Sequence, residues 1–512
     1  MTTLVLGSVP LTIAESVRFG RDPRLVEFGE GVEERLHQSR AIVDRKLVEG
    51  GSVYGLTTSL GSKVSVSLSA SDAEWTEELI LLNRMVAIGD SLPREVCRTA
   101  MLLRLHGLAH GTAGVSPAVV HTLRDLINAG VVVQIPAFGS IGASDLGPGA
   151  VLGGAVVGFG DAWYAGRPMS MREAMNQAGI ATCDLARKDA IGLFNASAVT
   201  LARAAHLIDQ LRATTMGGFV AAVANADAFG VNPQVFRDDV NQLKPSPFAR
   251  ESAGLVRSLL HGSWVLGDGA VDSPQQAISF RALVPAIATI VGAIDRVAMA
   301  IETEMNGVSD NPVVLLSAGE MSSTAHFHTI EAALQVDAAA IAIAQWANAT
   351  AQRIQRMINH RSDALPQLLS VRGGAATGLN PLQKTVATLH AAIRSRALPV
   401  STDALAVSDQ VEDVASHLPL AVEKMGEQIQ YLQSLIAIEA FVATHAFRLR
   451  ASSSPSRATS LLSAKIFDEI GHFNEDRALG PIVESVAQVL RECRDDIAEC
   501  VGQGWPNCPL ID

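Results

Sequence analysis

The sequence predicts a mainly α protein, with a long helical bundle preceded by a small mixed α/β region at the N-terminus. Two long stretches carry this prediction. From Thr329 to Ile358, Ile330, Leu334, Ile341 and Trp346 stand among small residues, and the stretch from Val422 to Arg450 carries Met425, Ile429, Leu432, Leu435 and Ile436. Both read as buried bundle helices. The third observation is composition: 48% of residues are hydrophobic, 18% are charged and only 4% are aromatic. That balance excludes extended disorder, and its small side chains allow close helix packing. At 512 residues, the chain can hold more than one core.

Taken in order, Thr3 to Val9 is a short strand-like run, and Gly50-Gly51-Ser52-Val53-Tyr54-Gly55 reads as a loop. From Ala73 to Ala129 the pattern is helical, with Leu79, Leu82, Val86, Leu102, Leu103 and Leu105 in phase. The β-rich run Val131 to Pro136 leads into Gly139-Ser140-Ile141-Gly142-Ala143-Ser144-Asp145-Leu146-Gly147-Pro148-Gly149. So much Gly and Pro there predicts a tight turn between a strand and a helix. Gly373 to Gly378 interrupts the later helices as a loop. No internal repeat is present at solenoid periods.

Several function classes are set aside on residues alone. The net charge of −12 offers no basic stripe for nucleic acid. The glycine-rich loop lacks the ending of a P-loop and the spacing of a dinucleotide fingerprint. Cys97, Cys183, Cys493, Cys500 and Cys508 are odd in number, without metal-ligand spacing, and suit the reduced cytoplasm. His106 with His110, and His326 with His328, lack a third ligand and read as packing or surface histidines, so no metal is expected. No nucleophile elbow is present. The start lacks a basic leader, and Leu146 to Gly160 is too short and too broken to span a bilayer. A cytoplasmic protein that binds neither membrane nor nucleic acid is expected.

The loop Gly139-Ser140-Ile141-Gly142-Ala143-Ser144-Asp145-Leu146 is similar to Gly-Ser-Val-Gly-Ala-Ser-Gly-Asp-Leu, the signature of the histidine/phenylalanine ammonia-lyase family. Val53-Tyr54-Gly55-Leu56-Thr57-Thr58 resembles that family's Tyr-Gly-x-Asn-Thr loop, and Lys188 to Asn195 resembles its Glu-Gly-Leu-x-Leu-x-Asn segment. Gln275 through Arg281, Ser309-Asp310-Asn311-Pro312, Phe327-His328, Glu412-Asp413 and Glu475-Asp476-Arg477-Ala478-Leu479 match further blocks in family order. The resemblance spans the chain, and the length is that of the bacterial histidine type.

The resemblance implies an electrophile, 4-methylidene-imidazol-5-one (MIO), made by cyclisation and dehydration of the backbone at Ala143-Ser144-Asp145, with no metal or nucleotide. No ordinary side chain can capture an amine and make it a better leaving group, which is why such a group is built. By resemblance, Tyr54 is the base for the β-proton and Arg281 grips the substrate carboxylate, which a planar guanidinium fits. Asn195 and Gln275 surround the electrophile and the substrate backbone. Asn83, Arg84, Phe327, Asn380 and Glu412 face the substrate. Residues 1–200 would carry the Tyr54 and electrophile loops, and 201–512 the long-helix bundle. Relatives are homotetramers whose sites collect residues from several subunits.

Four positions depart from the family pattern. Asp145 replaces the glycine that eases ring closure; either its amide nitrogen closes the ring, the reading preferred here, or no ring forms. Ile278 replaces a second active-site tyrosine. Arg84 stands where the histidine and tyrosine enzymes carry a substrate-selecting histidine. Pro285 falls one place late, which shifts the local helix entry. Arg84, Asn380 and Glu412 make the expected pocket polar, favouring an imidazole or other polar side chain over phenyl. Three functions stay open: an ammonia-lyase releasing an α,β-unsaturated acid, a 2,3-aminomutase whose Tyr54 lid is altered at Thr57 and Ser59, and a catalytically silent member retained for binding.

Overall fold

The computed structural model describes residues 3–58, 60–61, 76–267, 271, 273–360, 364–373, 376–403, 405–450, 453–474 and 477–511. Ser59, the start of the helical stretch at Ala73, Gly374 and Ala375 of the glycine loop, and Glu475-Asp476 of the last family block lie outside the described residues. The fold is mainly α, and among the described residues the short strands lie within residues 4–170 and 313–322. By contacts the chain forms two compact units. The first is Met1–Asp209, Ala298–Val336 and Pro399–Val422; the second is Gln210–Val297, Asp337–Leu398 and Glu423–Asp512.

The first unit contains the small mixed region. Leu4–Leu6 pairs in parallel with Val26–Phe28. The intervening helix Ile13–Arg21 opens on a capping box, in which Glu15 N donates to Thr12 Oγ1 and the Glu15 carboxylate accepts from Thr12 N. Val132–Val133, Asp161–Tyr164 and Arg167–Ser170 form an antiparallel three-stranded sheet. The helical reading of residues 73–129 needs correction at one place. After Thr76–Leu82 the chain forms a strand, Ile88–Ser91, before resuming as helices Arg94–Ala109 and Pro117–Ala129. The partner of that strand is Pro136–Phe138. A pairing across so many intervening residues leaves no periodicity for a local window to detect.

The glycine-rich turn does join a strand to a helix, Leu146–Gly154, which packs on the short helix Asp189–Phe194. Glycine makes this approach possible, since a Cβ on Gly149 would stand 2.7 Å from the Phe194 carbonyl oxygen.

Within the second unit, Phe219 meets Trp346 edge to face with ring centroids 5.4 Å apart. Arg353 Nε lies 2.6 Å from Glu439 Oε1 and its Nη2 lies 3.0 Å from Oε2. Both residues are fully buried, and Asn225 also donates to the carboxylate. The paired geometry supplies what two desolvated charges require.

The two long helices form where the sequence placed them, as Ile330–Ile358 and Leu418–Leu449. Met425, Ile429, Leu432, Leu435, Ile436 and Trp346 are all buried. Ile330, Leu334 and Ile341 are not: they are 37%, 50% and 51% exposed, so the first helix is buried on one side only and carries an apolar stripe on the other. Sequence periodicity detects an apolar face but not whether this chain covers it. By length and composition, Asp189–Phe229 and Leu283–Asn306 could cross a membrane, yet 83% and 67% of their apolar windows are buried in the protein.

Candidate active site

The loop from Gly139 to Asp145 is held in the first unit by three separate segments. Ser416 Oγ donates to Gly142 O at 2.8 Å, and His417 N to Ile141 O at 2.9 Å. Ser144 N donates to Phe327 O at 3.1 Å, and Ala143 bridges to His328. Gly142 has φ +84°, and a Cβ there would collide with Ser416 Oγ, so glycine is required. Inside the loop, Ser140 Oγ accepts from Gly142 N and donates to Ser144 O at 2.9 Å. Ser144 itself lies in the left-handed region at φ 59°, a strained setting that the surrounding contacts impose.

Ala143 and Ser144 are buried, 5% and 1% exposed. Ser144 Oγ donates to Asn195 Oδ1 at 2.7 Å, and Asn195 Nδ2 donates to Asn311 O at 3.2 Å. Asp145 N donates to Ala196 O at 2.9 Å. The Asp145 carboxylate accepts from Thr200 N at 2.7 Å and Thr200 Oγ1 at 2.6 Å. Burial pushes this carboxyl pKa up, and the Thr200 donors pull it back.

Tyr54 occupies a turn whose backbone is fastened on both sides. Leu56 packs with Ile42, Val43 and Val314, and Gly55 sits against Ile191 of the Asn195 helix. Thr57 Oγ1 accepts from Val53 N at 2.8 Å and donates to Gly51 O at 2.6 Å, closing the turn. The Tyr54 hydroxyl is half-buried and accepts from Gly61 N at 3.1 Å.

Arg84 follows the helix Thr76–Leu82, donates to Ile80 O, and places its guanidinium carbon 5.4 Å from the centroid of the Phe194 ring, one residue before Asn195. Burial lowers the pKa of this guanidinium, while the nearby Tyr54 and Glu412 side chains raise it again. Glu412 is half-buried, and its Oε2 accepts from Ser408 Oγ at 2.7 Å.

Of the residues singled out in the sequence, Ala143, Ser144, Asp145, Asn195 and Phe327 thus share one hydrogen-bonded neighbourhood. Tyr54 and Glu412 each act electrostatically on Arg84, and Asn83 is exposed at the helix end. Gln275, Arg281 and Asn380 belong to the second unit. There Gln275 is exposed, Arg281 Nε donates to Gln276 O at 2.8 Å, and Asn380 Oδ1 accepts from Gln383. Ile278 is 69% exposed, and Pro285 lies in the first turn of Leu283–Asn306, a position proline tolerates.

His106 is buried and His110 half-buried, with their rings 5.1 Å apart. Burial pulls the His106 pKa down to about 4, and its Nε2 meets Asn306 Oδ1 at 3.1 Å. Among the described residues no cluster of His, Cys, Asp and Glu is arranged to hold a metal ion. Thr200 and Ser416, which support the loop directly, went unnoticed in the sequence. Nothing local marks a lone Thr or Ser as the partner of a distant loop.

A family model described as aromatic amino acid lyase matches residues 11–470. A histidine ammonia-lyase of Caldanaerobacter subterraneus subsp. tengcongensis is 32% identical over 496 residues, covering 96% of this chain and 97% of that protein. A histidine ammonia-lyase of Symbiobacterium thermophilum is 29% identical, covering 96% and 97%. Among solved structures, the ergothioneine-degrading enzyme ergothionase of Treponema denticola, bound to desmethyl-ergothioneine sulfonic acid, superposes with a TM-score of 0.92 at 25% identity, covering 96% of this chain and 99% of that one. Histidine ammonia-lyase of Trypanosoma cruzi shares the fold with a TM-score of 0.89 at 22% identity, covering 100% and 97%.

Proposed function

This chain belongs to the aromatic amino acid lyase family, and on that premise we propose that it is an ammonia-lyase acting on histidine or another amino acid with a polar side chain. The products would be ammonia and an α,β-unsaturated acid. The observation that supports the substrate side of this reading is Arg84, held over Phe194 one residue before Asn195 and within reach of the Glu412 charge. A guanidinium only donates hydrogen bonds and a carboxylate only accepts them. A neutral imidazole, with one N–H and one bare nitrogen, answers both, whereas phenyl answers neither.

The residues present fit the family's MIO group. Ser144 is already in a tight left-handed turn, its hydroxyl is held by Asn195, and the Asp145 side chain is held by Thr200. Ring closure would exchange the Asp145 N–H bond to Ala196 O for a covalent bond to the Ala143 carbonyl carbon. When present, the group supplies an electrophile for the substrate amine. Tyr54 is assigned to remove the β-proton, Phe327 to border the electrophile, and Arg281 to hold the substrate carboxylate, with Gln275, Asn380 and Asn83 around the substrate. A cytoplasmic homotetramer is part of the same proposal, supported by the uncovered stripe of Ile330, Leu334 and Ile341.

A 2,3-aminomutase is the second reading, favoured by the Thr57 clasp that closes the Tyr54 turn. One experiment separates the readings: intact mass of the purified chain, followed by incubation with histidine and other polar amino acids. The lyase is expected to be lighter than its encoded mass by two waters and to release ammonia. A β-amino acid without net ammonia would establish the mutase instead, and an unaltered mass with no product would leave a binding protein.

Arg84→Ala is expected to raise KM for histidine by about 10- to 100-fold, the loss of one charge-assisted hydrogen bond. Phenylalanine turnover should be spared. Steady-state kinetics on both substrates check this, and an equal loss on both would remove Arg84 from side-chain recognition.

A further inference from the structure

The helix that delivers Asn195 is only six residues long, Asp189–Phe194. So short a helix is unstable by itself, because nucleation outweighs the few bonds it closes. Buried charges hold it at both ends. At its start, the Glu77 carboxylate accepts from Lys188 N at 3.2 Å and Ala190 N at 2.9 Å, donors that a helix leaves unpaired. Asp189 fastens the same end to Ser116 N and Oγ, both at 2.7 Å. At its finish, the Arg104 guanidinium donates to Gly192 O, one of the carbonyls left over where the helix stops.

Arg104 also donates to Asp310 Oδ1 at 3.3 Å, and Asp310 Oδ2 accepts from Thr112 Oγ1 at 3.1 Å. Arg104 and Asp310 are each 3% exposed. The next residue, Asn311, supplies the carbonyl that receives Asn195 Nδ2. One ion pair therefore governs Asn195 from two directions. Arg104 fixes the helix end from which Asn195 emerges, and Asp310 fixes the peptide to which its amide donates. The other end of that amide holds the Ser144 hydroxyl.

We propose that the Arg104–Asp310 pair is a positioning device for the loss of water from Ser144. The inference rests on the electrophile reading above. In ring closure the Asp145 nitrogen bonds to the Ala143 carbonyl carbon, and that carbonyl oxygen leaves as one water with the hydrogens of Asp145 N and Ser144 N, leaving a double bond between the Ala143 carbon and Ser144 N. Ser144 then loses its α-hydrogen and its Oγ as the second water, leaving a carbon–carbon double bond. Elimination needs the Cβ–Oγ bond out of the plane of the new ring, so that the electrons released at Cα flow into it. Asn195 sets that rotamer, and the buried ion pair sets Asn195. Neither Arg104 nor Asp310 touches the reacting atoms.

The test uses the full-length protein with Arg104→Met and, as the milder change, Asp310→Asn, which keeps the shape and an acceptor oxygen. Intact mass is followed over time after purification, with circular dichroism and thermal melting as controls. Wild type is expected at two waters below the encoded mass. Folded Asp310→Asn is expected to reach that mass about 10- to 100-fold more slowly. Turnover per mature chain should fall by much less than the maturation rate, and Arg104→Lys should recover part of the rate lost in Arg104→Met. If Arg104→Met does not fold, Asp310→Asn decides. Variants that mature as fast as wild type, even with lowered melting temperature, overturn the inference and leave the pair purely structural. Wild type at its encoded mass overturns the electrophile reading itself, a result visible before any variant is made.

Discussion

Ser144→Ala is expected to abolish turnover, with kcat falling by at least about 10³-fold. Without the hydroxyl there is no second water to lose, and no methylidene carbon can form. The intact mass should then miss the two-water deficit seen in wild type. The fold should survive, because Ser and Ala pay similarly for the left-handed backbone at this position. The local cost is the bond to Asn195 Oδ1, which leaves a buried acceptor unpaired at about 1–3 kcal/mol. Kinetics, mass and melting on one preparation check the three parts together. A variant keeping a tenth of wild-type kcat would refute the assignment of Ser144.

Tyr54→Phe is expected to lower kcat by about 10²- to 10⁴-fold, the usual contribution of a positioned acid or base. Here the intact mass should remain two waters below the encoded value, since the Tyr54 hydroxyl meets Gly61 rather than the Ala143-Ser144 loop. The pair of variants is therefore diagnostic. Loss of mass deficit and activity together marks Ser144, and loss of activity alone marks Tyr54. Wild-type kcat in Tyr54→Phe would move the proton abstraction to another residue.

Much of the fold was legible because it is local. Residues 330–358 and 418–449 are continuous helices, and their apolar residues recur at the helical period, so a window shorter than the helix suffices to read them. The strand Ile88–Ser91 was missed because its identity depends on Pro136–Phe138, not on its own four residues. The exposed face of Ile330, Leu334 and Ile341 was misread for a related reason, since hydrophobicity reports a face and says nothing of what covers it.

For the candidate site, the proposed chemistry was legible in the sequence by itself. The glycine-flanked Ala143-Ser144, the Tyr54 loop and Asn195 stand in blocks short enough to be read as motifs. It also marked Arg84 and Asp145 as departures. Only the tertiary structure decided which groups those two side chains meet. Folding turns the Asp145 carboxylate to Thr200 and sets Arg84 over Phe194 near Glu412. The same folding brings Ser416 to Gly142, and Arg104 and Asp310 to either side of Asn195. The division has a physical cause: a motif records which atoms can react, within a few residues of chain. Hydrogen bonds between groups tens to hundreds of residues apart exist only after burial has removed water as their competitor.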